Sequence, residues 1–258
     1  MHILNIVTSP RKEKSASTAI VNAFLSEYRE RVRDVTVDRL DIWQERLPEF
    51  DAEAINAKYK GVSGEAMTPV ETTTWEKIRE LASRFQRADR IVLGVPMWNF
   101  SVPYKLKQLI DLSCQRNMLF TFDGKFYGPS LSIDKAFVAY VRGQSDGVGF
   151  KTVSQPGFKY LSGYVEFWLQ FIGVRSIVSL AVEHTWDGCA VDMIEAGKRQ
   201  AAAAFDGFKY LSGYVEFWLQ FISVRSIVSL AVEHTWDGSA VDMIEAGKRQ
   251  AATLARSF

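Results

Sequence analysis

The chain has 258 residues, 47% of them hydrophobic and 24% charged, a composition typical of a soluble globular protein, with ample material for the core of one large domain or two small ones. With 31 basic against 30 acidic residues the formal net charge is +1, so no overall field selects nucleic acid or an anionic membrane as partner. The start, Met1 to Val7, lacks the basic opening, long apolar core and small-residue cleavage site of a secretory signal, and no apolar run reaches membrane-spanning length, so a cytoplasmic location is expected. Cys114 and Cys189 have neither metal-ligand nor redox-pair spacing and are expected to be ordinary buried thiols, with no metal bound.

Ile3 to Val7 is a short apolar run, followed by a polar loop from Thr8 to Thr18 and then by Ile20, Val21, Phe24, Leu25, Tyr28 and Val32 at helical spacing. The loop carries hydroxyls and three cations, Arg11, Lys12 and Lys14, into a helix N-terminus, where unpaired N–H groups and the helix dipole favour an anion. Ser15 or Ser17 either caps this helix or binds that anion. No Gly-rich dinucleotide fingerprint or Walker sequence is present, so a monophosphate held by hydroxyls is the expected anion.

Val35 to Leu40 alternates as a second strand, and a weak helix from Ala52 to Tyr59 follows, punctuated by Gly61, Gly64 and Pro69. Thr72, Thr73 and Thr74 are candidate caps for a helix with Trp75, Ile78, Ala82 and Phe85 on one face. The third strand, Ile91 to Val95, stops at Pro96-Met97-Trp98-Asn99-Phe100. A proline, a thioether, an indole, an amide and a phenyl ring in succession make a poor plain surface loop and suit a flat aromatic ligand. A helix then resumes at Pro103, with Leu106, Leu109 and Ile110. Phe120, Phe122, Phe126 and Tyr127 surround the hairpin turn Asp123-Gly124 and either pack the core or line a pocket. A fourth strand, Lys135 to Val141, ends in Arg142-Gly143-Gln144-Ser145-Asp146-Gly147. Three polar or aromatic loops thus follow strands one, three and four, on the rim where open α/β sheets bind ligands.

Residues 157–202 recur as 207–252, shifted by 50, with only Gly173 replaced by Ser223 and Cys189 by Ser239. Each copy reads as a helix, a strand (Val174 to Val182 in the first) and a second helix beginning near Ala190. Only one copy fits one place in a sheet. Short connections favour the first, leaving the second as an extension, with edge-strand addition or subunit exchange as outcomes for its apolar face. Phe167 and Trp168 are read as core. His184 and Trp186, repeated as His234 and Trp236, border a substrate pocket or merely form a half-buried loop.

Ser9, Ser15 and Ser17 after the first strand, Pro96 to Phe100 after the third, Arg142-Gly143 after the fourth, and Trp168 to Val174 together resemble the flavodoxin-like FMN-dependent NAD(P)H azoreductases and quinone reductases. The resemblance runs from residue 1 to about 202. It implies a doubly wound, parallel five-stranded sheet with helices on both faces, residues 1–206 forming the FMN-binding domain and 207–258 a tandem duplicate with a tail. It implies FMN as cofactor, NADH or NADPH as co-substrate, and a quinone, azo or nitroaromatic acceptor, in a homodimer with each site at the subunit interface. By position Ser9, Ser15 and Ser17 would take the phosphate, with Ala16 acting through backbone N–H. Pro96, Met97, Trp98, Asn99 and Phe100 would line the ring, and Arg142, Gly143 and Gln144 its far edge. Phe120 and Phe122 would roof the acceptor, from the same chain or the partner. Flavin N5 would carry hydride in a ping-pong cycle, with no catalytic side chain required. Trp98, Gln144 and Ala16 depart from the family's usual tyrosine, glycine and polar residue, which leaves the acceptor range open. A flavin reductase, a flavodoxin-type carrier and a duplicated variant of impaired activity are the alternatives.

Overall fold

The computed structural model describes residues 1–145, 158–186 and 190–210. Five strands, β1 (His2–Val7), β2 (Thr36–Asp41), β3 (Arg90–Pro96), β6 (Ile133–Val141) and β7 (Val174–Val182), form one sheet in the order β2-β1-β3-β6-β7. Every pairing is parallel. The doubly wound arrangement expected from the sequence is therefore present, with its topological switch point between β1 and β3.

Parallel strands joined by helical crossovers are covered on both faces, so the central strands β1, β3 and β6 read as nearly continuous apolar runs, whereas the edge strand β2, part exposed, alternates. Ile91, Leu93, Val95, Ala136, Val138 and Tyr140 face one core layer with Ile78, Phe85, Leu109, Val165 and Trp168. Ile3, Val92, Phe137, Ala139 and Val141 face the other with Ile20, Phe24, Met193 and Phe205. The first layer is closed by α2 (Ala52–Ser63), α3 (Pro69–Gln86), α4 (Tyr104–Ser113) and α5 (Phe158–Ile172), the second by α1 (Ala16–Arg31) and α6 (Ala190–Tyr210).

Several boundaries differ from the expectations. Helix α2 continues past Tyr59 through Gly61 to Ser63 and ends on Gly64 in the left-handed region. Helix α3 starts at Pro69, so Thr72 to Thr74 are not its caps. Thr68 caps it in a reciprocal capping box with Glu71, and the Thr72 and Thr73 hydroxyls instead donate back to the carbonyls of Thr68 and Pro69. Glu71 also accepts Lys60 Nζ at 2.8 and 3.0 Å, which holds its carboxyl below the usual range and ties α2 to α3. Trp168 is buried as expected, whereas Phe167 is exposed and stacks on Phe171. Cys114 is half-buried, and burial pushes its thiol up to about 11. Cys189 and residues 211–258, His234 and Trp236 included, lie outside the described residues; of the second copy only residues 207–210 are described, as the end of α6.

The Asp123-Gly124 turn joins β4 (Phe120–Phe122) and β5 (Tyr127–Pro129) in a separate antiparallel hairpin. The hairpin follows α4, which runs back from the carboxyl end of β3, and leads into the start of β6. Leu131 N–H donates to the Ile172 carbonyl and Ile133 N–H to the Gly173 carbonyl. The hairpin therefore sits at the amino-terminal end of the sheet.

Candidate functional site

Loops after all five strands gather at the carboxyl-terminal rim. The first begins with Thr8 and Ser9, both buried, at the end of β1. The Thr8 hydroxyl donates to the Gly94 carbonyl across the switch point at 2.5 Å. Gly94 has no side chain for a reason: a β-carbon there would stand 2.8 Å from the Ser17 carbonyl oxygen. Its absence lets the start of α1 lie directly on β3, the use of glycine where two backbones approach closely.

Ser15 is the N-cap of α1, its hydroxyl oxygen accepting the Thr18 N–H at 3.3 Å. It also shares a hydrogen bond with the Ser17 hydroxyl at 3.1 Å, and both serines are buried. The Ser9 oxygen accepts the Arg11 N–H at 3.4 Å. Capping and anion binding are not rivals here, because Ser15 caps through one lone pair while the first-turn N–H groups of Ala16 and Ser17 have no intrahelical acceptor. No acidic residue stands in the first turn of this 16-residue helix. Arg11, Lys12 and Lys14 surround the loop against the single carboxylate of Glu13, all four exposed. Hydroxyls, main-chain donors, a positive helix end and exposed cations form a donor set that fits a phosphate monoester.

After β3, Met97 N–H donates to the Val141 carbonyl at 2.8 Å, and Trp98 and Ser101 exchange both backbone hydrogen bonds at 3.0 Å. The two residues between them, Asn99 (φ 48) and Phe100 (φ 65), both occupy the left-handed region, giving a tight two-residue turn. Asparagine tolerates that conformation, phenylalanine does not. The turn holds a half-buried Trp98 beside Asn99 and Phe100, which are exposed.

Arg142, Gly143 and Gln144 follow β6. The Arg142 carbonyl accepts Thr185 N–H at 3.3 Å and the Thr185 hydroxyl at 2.9 Å, while its buried guanidinium pairs with Glu183. This fastens the loop after β7 to the loop after β6. A β-carbon on Gly143 would lie 2.7 Å from Trp186 Cγ, so the glycine lets that indole, 79% exposed, rest against the rim. His184 (φ 54) precedes it. Asp146 and Gly147 lie outside the described residues.

The structure thus brings Ser9, Ser15, Ala16, Ser17, Pro96 to Phe100, Arg142 to Gln144, His184 and Trp186 to one rim. It does not bring Phe120 and Phe122 there. Within the chain these two pack with Tyr127 and Phe171 at the opposite end, Phe120–Phe171 at 5.1 Å and Phe122–Tyr127 at 4.6 Å between ring centres. The rim also contains a residue that the sequence reading missed. Trp43, in the loop after β2, donates from Nε1 to the Thr8 carbonyl at 2.8 Å and packs tilted against Trp98 at 5.8 Å and edge-on to Tyr104 at 5.3 Å between ring centres. It braces the serine loop against the Trp98 turn. A tryptophan immediately after the second strand was its only sequence signal.

The profile of the flavodoxin-like fold family matches residues 1–206. FMN-dependent NADH:quinone oxidoreductase 2 of Burkholderia lata is 54% identical over 201 residues, spanning 78% of this chain and 97% of that protein. FMN-dependent NADH:quinone oxidoreductase 3 of Pseudomonas fluorescens is 40% identical over 202 residues, 78% of this chain and 92% of that one. In fold, the chain superposes on the FMN-dependent NADH-azoreductase of Bacillus anthracis, solved in complex with FMN, with a TM-score of 0.72 at 19% identity, covering 81% of this chain and 99% of that one. The chain belongs to the flavodoxin-like fold family, among the FMN-dependent NADH:quinone oxidoreductases.

Proposed function

We propose that the protein is an FMN-dependent NAD(P)H oxidoreductase that reduces quinones and azo or nitroaromatic compounds. The observation that carries this reading is the convergence, across the β1/β3 switch point, of a buried serine cradle at a helix N-terminus with the strained turn that presents Trp98, Asn99 and Phe100. Relatives carrying the name FMN-dependent NADH:quinone oxidoreductase support it.

In this reading Ser9, Ser15 and Ser17, with the N–H groups of Ala16 and Ser17, hold the phosphate. Pro96 to Phe100 lie along the isoalloxazine ring, and Arg142, Gly143 and Gln144 close its far edge. Bound there, FMN would supply the redox chemistry, two-electron (hydride) transfer at N5 between NADH or NADPH and the acceptor in two half-reactions. The chain's part is to orient and to exclude water. Main-chain N–H groups around Asn99 would donate toward the ring, Trp43 packs against the indole of Trp98, and Trp186 with His184 would border the acceptor. Phe120 and Phe122 sit at the wrong end to serve their own rim, so they roof the site of a partner in a homodimer. No described helix is long and apolar enough to cross a membrane, in keeping with the cytoplasmic setting we assign.

Purified protein incubated with FMN and NADH or NADPH, then given menadione or an azo dye, tests the reading. Rapid loss of reduced nicotinamide that depends on acceptor is expected. A yellow protein inert to NADH and NADPH would make it an electron carrier, and a protein that takes up no FMN would overturn the reading altogether.

A further inference from the structure

We propose that residue 173 decides which of the two near-identical copies completes the sheet: Gly173 admits the first copy to the edge position, and Ser223 bars the second. Forty-six residues are repeated at an offset of 50, and only two positions differ. One of the two falls at the junction of α5 and β7.

Gly173 has φ +112, a backbone conformation that residues with a β-carbon rarely adopt. A β-carbon there would run into the Leu131 carbonyl, 2.8 Å from its carbon, with Pro129 Cβ at 3.1 Å. The neighbourhood cannot simply step aside, because it is hydrogen-bonded on both sides of the glycine. Gly173 N–H donates to the Gln170 carbonyl at 3.0 Å, Leu131 N–H to the Ile172 carbonyl at 3.2 Å, and Ile133 N–H to the Gly173 carbonyl at 3.1 Å. These bonds set the register in which Ile133 pairs with Val174 and Val141 with Val182. In the second copy serine stands at this position. In that place its side chain would meet the same carbonyl, and its backbone would resist the same φ.

A difference just beyond the repeat acts in the same direction. Helix α6, which begins in the first copy and runs on to Tyr210 in the opening residues of the second, buries Phe205 of the linking residues almost completely, edge-on to Tyr28 at 5.2 Å between ring centres. At the offset of 50, past the end of the second copy, stands Ala255. The consequence reaches the rim, whatever chemistry the rim performs. Glu183, His184, Thr185 and Trp186 of the first copy border the Arg142–Gly143 loop, so the choice of copy at the edge also decides which copy supplies this part of the rim.

Hydrogen exchange on the intact chain distinguishes the copies, because peptic fragments covering 171–182 and 221–232 differ in mass by one CH2O unit. Amides of the first fragment are expected to exchange at least about a hundredfold more slowly than those of the second. Equal exchange, or slower exchange in the second fragment, overturns the proposal. The full-length swap Gly173→Ser with Ser223→Gly then tests the glycine itself. Fragment 171–182 should lose its protection by a similar factor, and protection retained at the parental level overturns the assignment of that role to residue 173. Neither readout requires flavin, so failure of the FMN reading leaves this test intact.

Discussion

At the amino-terminal end of the sheet the chain turns through Asp34, Asn117 and Gly173, and at the carboxyl-terminal end through Lys12, Asn99, Phe100 and His184, all with φ between 48 and 112°. The first set consists of residues that tolerate the left-handed region. Lys12 and Phe100 in the second set do not, and such placement costs about 1–2 kcal/mol each. The aromatic rings do not divide in this way: Phe126 and Tyr127 of the amino-terminal hairpin are 63 and 64% exposed, against 49, 63 and 79% for Phe100, Tyr104 and Trp186 at the rim. The difference lies in the backbone. One end of the sheet turns on residues suited to the left-handed region, and the other retains strain, which persists where the surrounding structure enforces it for function.

This contrast predicts that substitutions at the two ends separate stability from ligand binding. Phe85→Ala, in a fully buried ring that packs edge-on against Trp168 at 6.0 Å, should cost about 3–5 kcal/mol in urea unfolding. Its FMN dissociation constant should stay within about twofold, since distant sites act additively. A parallel loss of affinity would show that the two ends are coupled. Ser17→Ala should behave in the opposite way. It removes a hydroxyl bonded only to Ser15 among the described contacts, so unfolding should shift by under about 1 kcal/mol. FMN affinity, read by fluorescence titration, should fall by about 1.5–3 kcal/mol, the worth of a hydrogen bond to a charged group. Unchanged affinity would remove the serine from the phosphate site.

How much of this was legible in the sequence follows the same division. The strands were, because burial on both faces writes β1, β3 and β6 as nearly continuous apolar runs and half-burial writes the edge strand β2 as an alternating one, and the loops after β1, β3 and β6 announced themselves by composition. The start of α3 was misread because three consecutive threonines outweighed Thr68, whose capping depends on Glu71 reaching back. Trp43 was invisible as a brace since its partners, Thr8 and Trp98, are distant in sequence and its segment has no periodicity. Gly94 was readable in principle: a glycine inside an apolar strand marks a close backbone approach. The positions of Phe120 and Phe122 were not, because composition alone does not state at which end of a sheet a hairpin folds.

Phe100→Gly sharpens the contrast within a single residue. Releasing a non-glycine residue from φ 65 should raise the urea midpoint of the flavin-free protein, by about 1 kcal/mol in unfolding free energy. The half-exposed ring is lost at the same time, so kcat/KM for a quinone should fall. A variant both more stable and equally active would mean that the strain at this turn serves nothing.

The smallest effect is expected between the two ends, where Arg84 of α3 grips Asp38 of β2 through Nε at 2.9 Å and Nη2 at 2.5 Å and reaches Glu45 at 3.0 Å. Hydrogen bonds from the Arg84 guanidinium hold the Asp38 carboxyl below the usual carboxylate range, against the opposing push of partial burial. A carboxylate whose folded pKa lies below its unfolded value of about 3.9 stabilises the fold fully above that value, and loses the contribution as pH falls through it toward the folded pKa. Asp38→Asn should therefore cost about 0.5–1 kcal/mol at pH 7, since the pair is partly solvated, with no change in flavin affinity. The gap between the urea midpoints of parent and variant should hold steady down to the ordinary carboxylate range and close below it. A gap that survives in strong acid would mean that Arg84 serves β2 through packing and its bond to the Arg39 carbonyl, not through charge.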